Sequence, residues 1–174
     1  MKKVFIIGML LTLSISGFAQ VDFKFKGVGA GLTIGSGAAG ESDASAGLFI
    51  NGLAQIMDKV DAEASLAFYV PGTYYQIITL NANGHYNFFQ QNQFTAYGLA
   101  GLNLSYVRVD VPGVNYGYGI YSSDYSSSHS YLGLNIGAGG AYELTPKFDI
   151  IGQVGYTISE ADQLFINAGV MYKF

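Results

Sequence analysis

The chain has 174 residues, enough for one domain, and it is half hydrophobic with only 11% charged residues. Eight Lys and Arg stand against twelve Asp and Glu, and no basic cluster is present, so nucleic acid is not an expected partner. Cysteine is absent, which excludes a disulfide framework and a thiolate metal site; no cofactor is expected.

Residues 1–19 read as a signal peptide and 20–174 as the one folded domain. Lys2 and Lys3 form a basic n-region, Val4 to Ile15 an apolar core, and Gly17-Phe18-Ala19 a small-x-small cleavage site. Cleavage is expected after Ala19, since the short apolar core argues against a retained anchor. Past residue 18 no apolar run nears the ~20 residues of a spanning helix. A chain this apolar must distribute its greasy side chains some other way.

From residue 25 the pattern has period two, the strand signature. The first predicted strand carries Val28, Ala30, Leu32 and Ile34 on one face, ending at a polar break over 36–45. The second carries Leu48, Ile50, Ala54 and Ile56, and turns at 57–60. The third places Ala64, Leu66 and Phe68 on one face and Asp61 and Glu63 on the other. Beyond 71–73 the fourth has Ile78, Leu80 and Ala82, with His85 opposite. A break at 89–93 leads to the fifth, with Phe94, Ala100, Leu102 and Leu104. The stretch 110–130 is the longest break and is filled with Tyr, Ser and Gly. The sixth has Leu132, Leu134, Ile136 and Tyr142 up to a turn at 145–147, and the seventh Phe148, Ile150, Val154 and Tyr156. After 159–163 the eighth runs through Leu164, Ile166, Val170, Tyr172 and Phe174.

The even face has no charge from Val28 on except at the ends, while the odd face is rich in Asn and Gly but poor in Lys and Glu. A soluble lipocalin-like barrel would put charges on its solvated side. An Asn-rich face suits a narrow lumen, and an uncharged face suits lipid, where Lys or Arg costs about 2–4 kcal/mol at mid-membrane. The reading is therefore all-β: an eight-stranded, antiparallel, up-and-down transmembrane β-barrel. Closure leaves no sheet edge in lipid. An even strand count puts both termini on one side, expected to be the periplasm. All three prolines fall in breaks, and aromatic residues collect at the strand ends, where interfacial rings belong.

Over the mature chain the sequence resembles the small eight-stranded outer-membrane barrels of the OmpA/OmpX and opacity-protein type. The end carries the sharpest likeness, with Val170, Tyr172 and the terminal Phe174 at alternate positions. In that family such an ending is similar to the signal read by the barrel-assembly machinery. The resemblance implies an integral outer-membrane location, contact with lipid and lipopolysaccharide, and delivery by periplasmic chaperones. It covers adhesins, envelope-stabilising proteins, narrow pores and barrels of unknown role.

Candidate chemistry is sparse. Gly27 to Gly31 and Gly137 to Gly140 lack the following helix of a phosphate loop, and they read as room for Phe49, Tyr69, Tyr97 and Phe165 in the lumen. Antiparallel register sets His85 opposite Asp61 with Glu63 one step up, a pair that reads as satisfied lumen polarity rather than catalysis. His129 sits near Asp124 and a serine run in the long break, on a loop too loose to align a triad. Glu143, Asp149 and Lys173 are expected side by side on inward faces, with Lys173 opposite Asp149. Tyr116, Tyr118, Tyr121 and Tyr125 give the long break the composition of an adaptable contact surface. Val107, Val109 and Val111 continue the alternation, so the fifth and sixth strands are expected to protrude. The reading is a non-enzymatic barrel that contacts an unknown extracellular partner or the envelope through its outer loops. A narrow pore is the alternative, and a lipid-modifying enzyme the third.

Overall fold

A computed structural model of the chain describes residues 23–36, 44–70, 75–113, 115–117, 120–121 and 125–174. The expected signal peptide lies outside them. Ten strands follow in order: β1 Lys24–Ser36, β2 Ser45–Met57, β3 Val60–Tyr69, β4 Tyr75–Gln91, β5 Phe94–Val111, β6 Asn115–Gly117, β7 Ile120–Tyr121, β8 Tyr125–Thr145, β9 Phe148–Ile158 and β10 Gln163–Lys173. Eight of them close a barrel in the order β1-β10-β9-β8-β5-β4-β3-β2, all antiparallel. The sequence did not single out β6 and β7, a small separate hairpin between β5 and β8.

The side-chain alternation sets which face is which. Odd positions such as Thr33, Asn51, Glu63, Thr79, Asn103 and Gln153 are buried in the lumen, while Leu32, Leu48, Leu102, Leu132 and Ile136 stand exposed on the outside. Ala54 is an exception on the outer ladder, buried although its neighbours are not. Several inward-facing glycines match the expectation of space. A Cβ on Gly139 would meet the Tyr97 ring at 2.6 Å, and one on Gly155 would meet Phe165 at 2.4 Å. None of the glycines so crowded faces Phe49: Gly31, its cross-strand partner, lies instead against the backbone of β10.

Paired residues trace one full circuit: Phe25, Ala54, Ala62, Gly84, Ala100, Ile136, Tyr156, Leu164 and back to Ser36 on β1. The return lands eleven residues along from Phe25, one of them the bulged Lys26. Such a stagger tilts the strands steeply to the barrel axis, and eight tilted strands enclose a space that side chains can fill.

One end of the barrel carries the tight turns at 58–59, 92–93 and 146–147 together with Phe23 and Phe174. We call it the turn end and the opposite one the loop end. Asn92 sits at φ 53°, a left-handed conformation that Asn tolerates, and the chain reverses there in two residues. All four register shifts in the barrel lie at the turn end, at Lys26, Ile56, Phe88 and Leu144. Bulges at a barrel rim re-aim side chains. At the loop end β5 and β8 outrun their neighbours. The β8–β9 pairing stops at Leu134, so Tyr125–Gly133 extend beyond it, and β4–β5 pairing stops at Val109. The break expected over 110–130 is thus strand at both margins, because the same two-residue alternation continues on paired backbone. The break at 89–93 is likewise mostly strand.

Candidate functional site

The lumen is a polar network arranged in two tiers. The tier nearer the turn end centres on Glu63. Its Oε1 accepts from Asn51 Nδ2 at 2.6 Å and Gln153 Nε2 at 3.1 Å, and its Oε2 accepts from Asn83 Nδ2 at 3.1 Å. His85 Nε2 lies 3.0 Å from the same Oε2, and its ring stacks on Tyr97 at 4.3 Å. Partners from β2, β4 and β9 therefore converge on one carboxylate of β3. Burial explains the crowding: a carboxylate removed from water must recover its lost hydrogen bonds from the protein. Gln153 also donates to the Tyr97 hydroxyl at 3.2 Å and accepts from Asn167 at 3.0 Å, which brings β5 and β10 into the tier.

Asp61 is opposite His85 by register, as the sequence indicates, yet it does not bond to it. Its Oδ2 receives Lys26 Nζ at 2.9 Å and Asn87 Nδ2 at 2.8 Å. His85 reaches diagonally to Glu63 instead. The sequence did not single out Lys26, which precedes Val28, the first residue of the even ladder. The bulge between Phe25 and Gly27 releases it from the ladder parity and turns its ammonium inward.

The second tier contains no charge. Asn103 and Asn135 both donate to Asn81 Oδ1, at 2.7 and 2.9 Å, and Asn135 also reaches Asn83 Oδ1 at 3.0 Å. Thr157 donates to Asn135 Oδ1, Ser105 to Asn103 Oδ1, and Asn81 to Ser65. Asn83 joins the tiers, because it donates to Glu63 and accepts from Asn135. Above this lie Phe49, Tyr69, Ile77 and Val107, all buried. A cavity of about 10 Å³ remains between Thr33, Ser65, Asn81 and Thr157, room for roughly one water.

Glu143, Asp149 and Lys173 do meet at the turn end. Lys173 Nζ lies 2.6 Å from Glu143 Oε2 and 2.8 Å from Asp149 Oδ1. The expected register needs correction, however. Asp149 faces Met171, not Lys173, because Gln163 already pairs with Thr157 and tightens the β9–β10 connection. The lysine instead lies two residues beyond and reaches back along its flexible stem. Lys173→Met should lower unfolding free energy by only ~1 kcal/mol, since Glu143 is half exposed. Chemical denaturation in lipid vesicles would measure it, and a loss several times larger would mean that this cluster braces the whole barrel.

On the β5–β8 extension Ser126 Oγ donates to Asp110 Oδ1 at 2.6 Å, and Arg108 Nε lies 2.8 Å from Oδ2. The serine hydroxyl and then the guanidinium hold this exposed carboxyl below the usual range. Ser127 Oγ is 3.5 Å from His129 Nδ1, and both are solvent-facing. Tyr116, Tyr121 and Tyr125 fall within β6, β7 and β8; their side chains, all of Tyr118 and Asp124 lie outside the described residues. Val170 and Tyr172 line the outer face of β10 and Phe174 directly follows it; Tyr172 packs edge-on against Phe174 and Phe148, and Phe174 stacks on Phe25.

Comparison with known proteins agrees with this architecture. The family model described as the outer membrane protein beta-barrel domain matches residues 5–174. No curated protein sequence matches the chain. Among solved structures, Ail, the attachment invasion locus protein of Yersinia pestis, is 16% identical with a TM-score of 0.59 over 87% of this chain and 99% of that one. It has also been solved in complex with the heparin analogue sucrose octasulfate. OprG from Pseudomonas aeruginosa is 14% identical with a TM-score of 0.62, covering 87% of this chain and 96% of that one. Neisserial surface protein A is 20% identical with a TM-score of 0.60, covering 87% and 97%. Identities this low carry the fold alone, but the family model spans nearly the whole chain. The protein belongs to the outer membrane protein beta-barrel domain family and is integral to the outer membrane.

Proposed function

We propose that the barrel works without catalysis, as a plugged outer-membrane scaffold that contacts partners outside the cell through its β5–β8 extension. The observation that carries this is the free edge of β8. Glu143 N donates to Gln93 O, so odd amides of β8 point toward β5 and even ones point away. Beyond Leu134 the even amides of Ser126, Ser128 and Ser130 therefore face a side with no paired strand among the described residues. Their flanks contain no proline, lysine or bulge to blunt the edge. An unprotected edge is a template for an added strand. The naming of Ail as an attachment protein is in keeping with such a role.

The filled lumen disfavours the pore alternative, since the polar atoms that would line a channel bond to each other. The enzymatic alternative set His129 beside Asp124, which lies outside the described residues; among the described residues, Asp110 is engaged by Ser126 and Arg108 rather than by His129. In this reading both termini are periplasmic, lipopolysaccharide surrounds the loop end, and Val170, Tyr172 and Phe174 present the assembly signal to chaperones and the barrel-assembly machinery.

Ser128→Pro is the test, because it removes an edge-facing amide and no β5 hydrogen bond. Peptides selected by display against the protein in nanodiscs should bind this variant at least about tenfold more weakly, a difference of ~1.4 kcal/mol. Its barrel should keep the wild-type gel shift on heating. Undiminished binding would remove the edge from the argument.

A further inference from the structure

The segment that carries the free edge of β8 reads nearly the same in both directions. Around Ser128 the order is Tyr125, Ser126, Ser127, Ser128, His129, Ser130, Tyr131. Tyrosine mirrors tyrosine and Ser126 mirrors Ser130. Only the mirrored pair Ser127 and His129 departs from strict symmetry. In an antiparallel pair each strand meets its partner in reverse order. Two copies of this segment laid antiparallel about Ser128 therefore set Tyr125 across from Tyr131, and serine across from serine.

The centre of the symmetry also falls on the right parity. Even residues of β8 turn their N–H groups away from β5, since the odd Glu143 N is the one that bonds to Gln93 O. Ser128 is even. Paired about it, two copies exchange both backbone hydrogen bonds at Ser128, and Ser126 does the same with Ser130 of the second copy. A centre at Ser127 or His129 would bring to the axis amides that already serve β5. Between the bonded pairs Ser127 meets His129 of the second copy at the closer spacing, where a hydroxyl and an imidazole can bond. Within its own chain Ser127 Oγ stands 3.5 Å from that ring, a long contact. From Tyr125 to Leu134 there is no Asp, Glu, Lys or Arg, so no charge on the edge strand repels a second copy. Arg108 and Asp110 lie one strand back on β5 and pair with each other.

Strand direction sets where the second copy stands. β8 runs from the loop end at Tyr125 to the turn end at Thr145. An antiparallel partner is turned end for end, so its turn end points away from the first barrel. Two copies in one membrane point the same way along its normal and do not meet in this manner. Ser128 lies six residues beyond Leu134, the last residue paired with β9, which is about 20 Å of strand available for contact.

We infer that the strand taken by this edge is the same edge of a second copy in a facing membrane, paired antiparallel about Ser128, an inference that rests on the contact role proposed above. The chain has no cysteine, so one introduced thiol is unique. Barrels are placed one per nanodisc, so that any link joins two membranes, and are treated with a short bismaleimide. Ser128→Cys should yield linked barrel dimers on a gel, because the paired Cα atoms stand about 5.5 Å apart. Ser130→Cys is exposed on the same face, but its two thiols are offset by four residues of strand, about 14 Å, and should link at least about tenfold more slowly. Excess synthetic peptide spanning 125–131 should suppress the Ser128→Cys link. Equal rates for the two cysteines, or no dimer from Ser128→Cys, would overturn the inference. If Ser128→Pro still weakens display-selected peptides while no dimer forms, the edge takes a different strand and only the self-pairing falls.

Discussion

Glu63→Leu should be the most damaging single substitution in the barrel, removing several kcal/mol of unfolding free energy in lipid vesicles. Leucine fills a similar volume, so the loss arises from the partners left behind. Asn51, Asn83, Gln153 and His85 all point at this buried carboxylate. Each buried donor left unmade costs about 1–3 kcal/mol, and the cavity with room for a water is lined by the uncharged tier rather than by Glu63. Glu63→Gln should fall between, because it keeps one acceptor oxygen but turns an amide toward donors on the other side. Asn81→Leu, in the uncharged tier, should cost less, as its bonds are between neutral groups. Reversible urea unfolding followed by tyrosine fluorescence provides the ranking. A Glu63→Leu barrel as stable as wild type would mean that the network is filling space rather than holding strands together.

Leu66→Arg should destabilise the barrel by about 2–4 kcal/mol in a bilayer, the penalty for a guanidinium on the lipid face near mid-membrane. The same substitution on an exposed leucine of a water-soluble barrel would be neutral or mildly favourable. Sign as well as size therefore reports which solvent the even face meets. Leu66 is 42% exposed, so the variant meets no steric barrier. Spin labels give a second measurement: Leu66, Leu102 and Val154 should be accessible to oxygen dissolved in lipid, and Asn83, Asn103 and Gln153 protected.

Much of this architecture is legible in the order of residues because parity is a simple signal. Each side chain of a closed tilted sheet is either in or out, and an even apolar ladder that keeps its parity from strand to strand between Leu32 and Val170 identifies the face without any contact information. The eight strands, their antiparallel order and the protruding fifth and sixth strands all follow from it. What parity cannot show is where it is broken. Lys26 sits on a bulge, so the even ladder does not show that its ammonium goes to Asp61. Register across a loop is equally hidden, since it depends on how many residues the loop absorbs. One extra pair, Thr157 with Gln163, was enough to move Asp149 from Lys173 to Met171. Diagonal choice is hidden too. His85 had two carboxylates within reach on β3, and the sequence does not say that Lys26 and Asn87 would occupy the nearer one.

The closing seam between β1 and β10 has a consequence for how the chain could be rearranged. Phe174 N donates to Lys26 O at 3.1 Å, so the two ends of the described chain lie side by side at the turn end. A short linker from Phe174 to Phe23 would cross only that gap, and the chain could then be cut at Asp58–Lys59 without removing any cross-strand pair. Such a circular permutant would have the same neighbours and the same lumen, but its final strand would be β2 and its last aromatic would no longer be terminal. It should refold from denaturant into detergent as the native order does. In cells it would be a stringent examination of whether assembly reads a three-dimensional surface or the tail of a linear message.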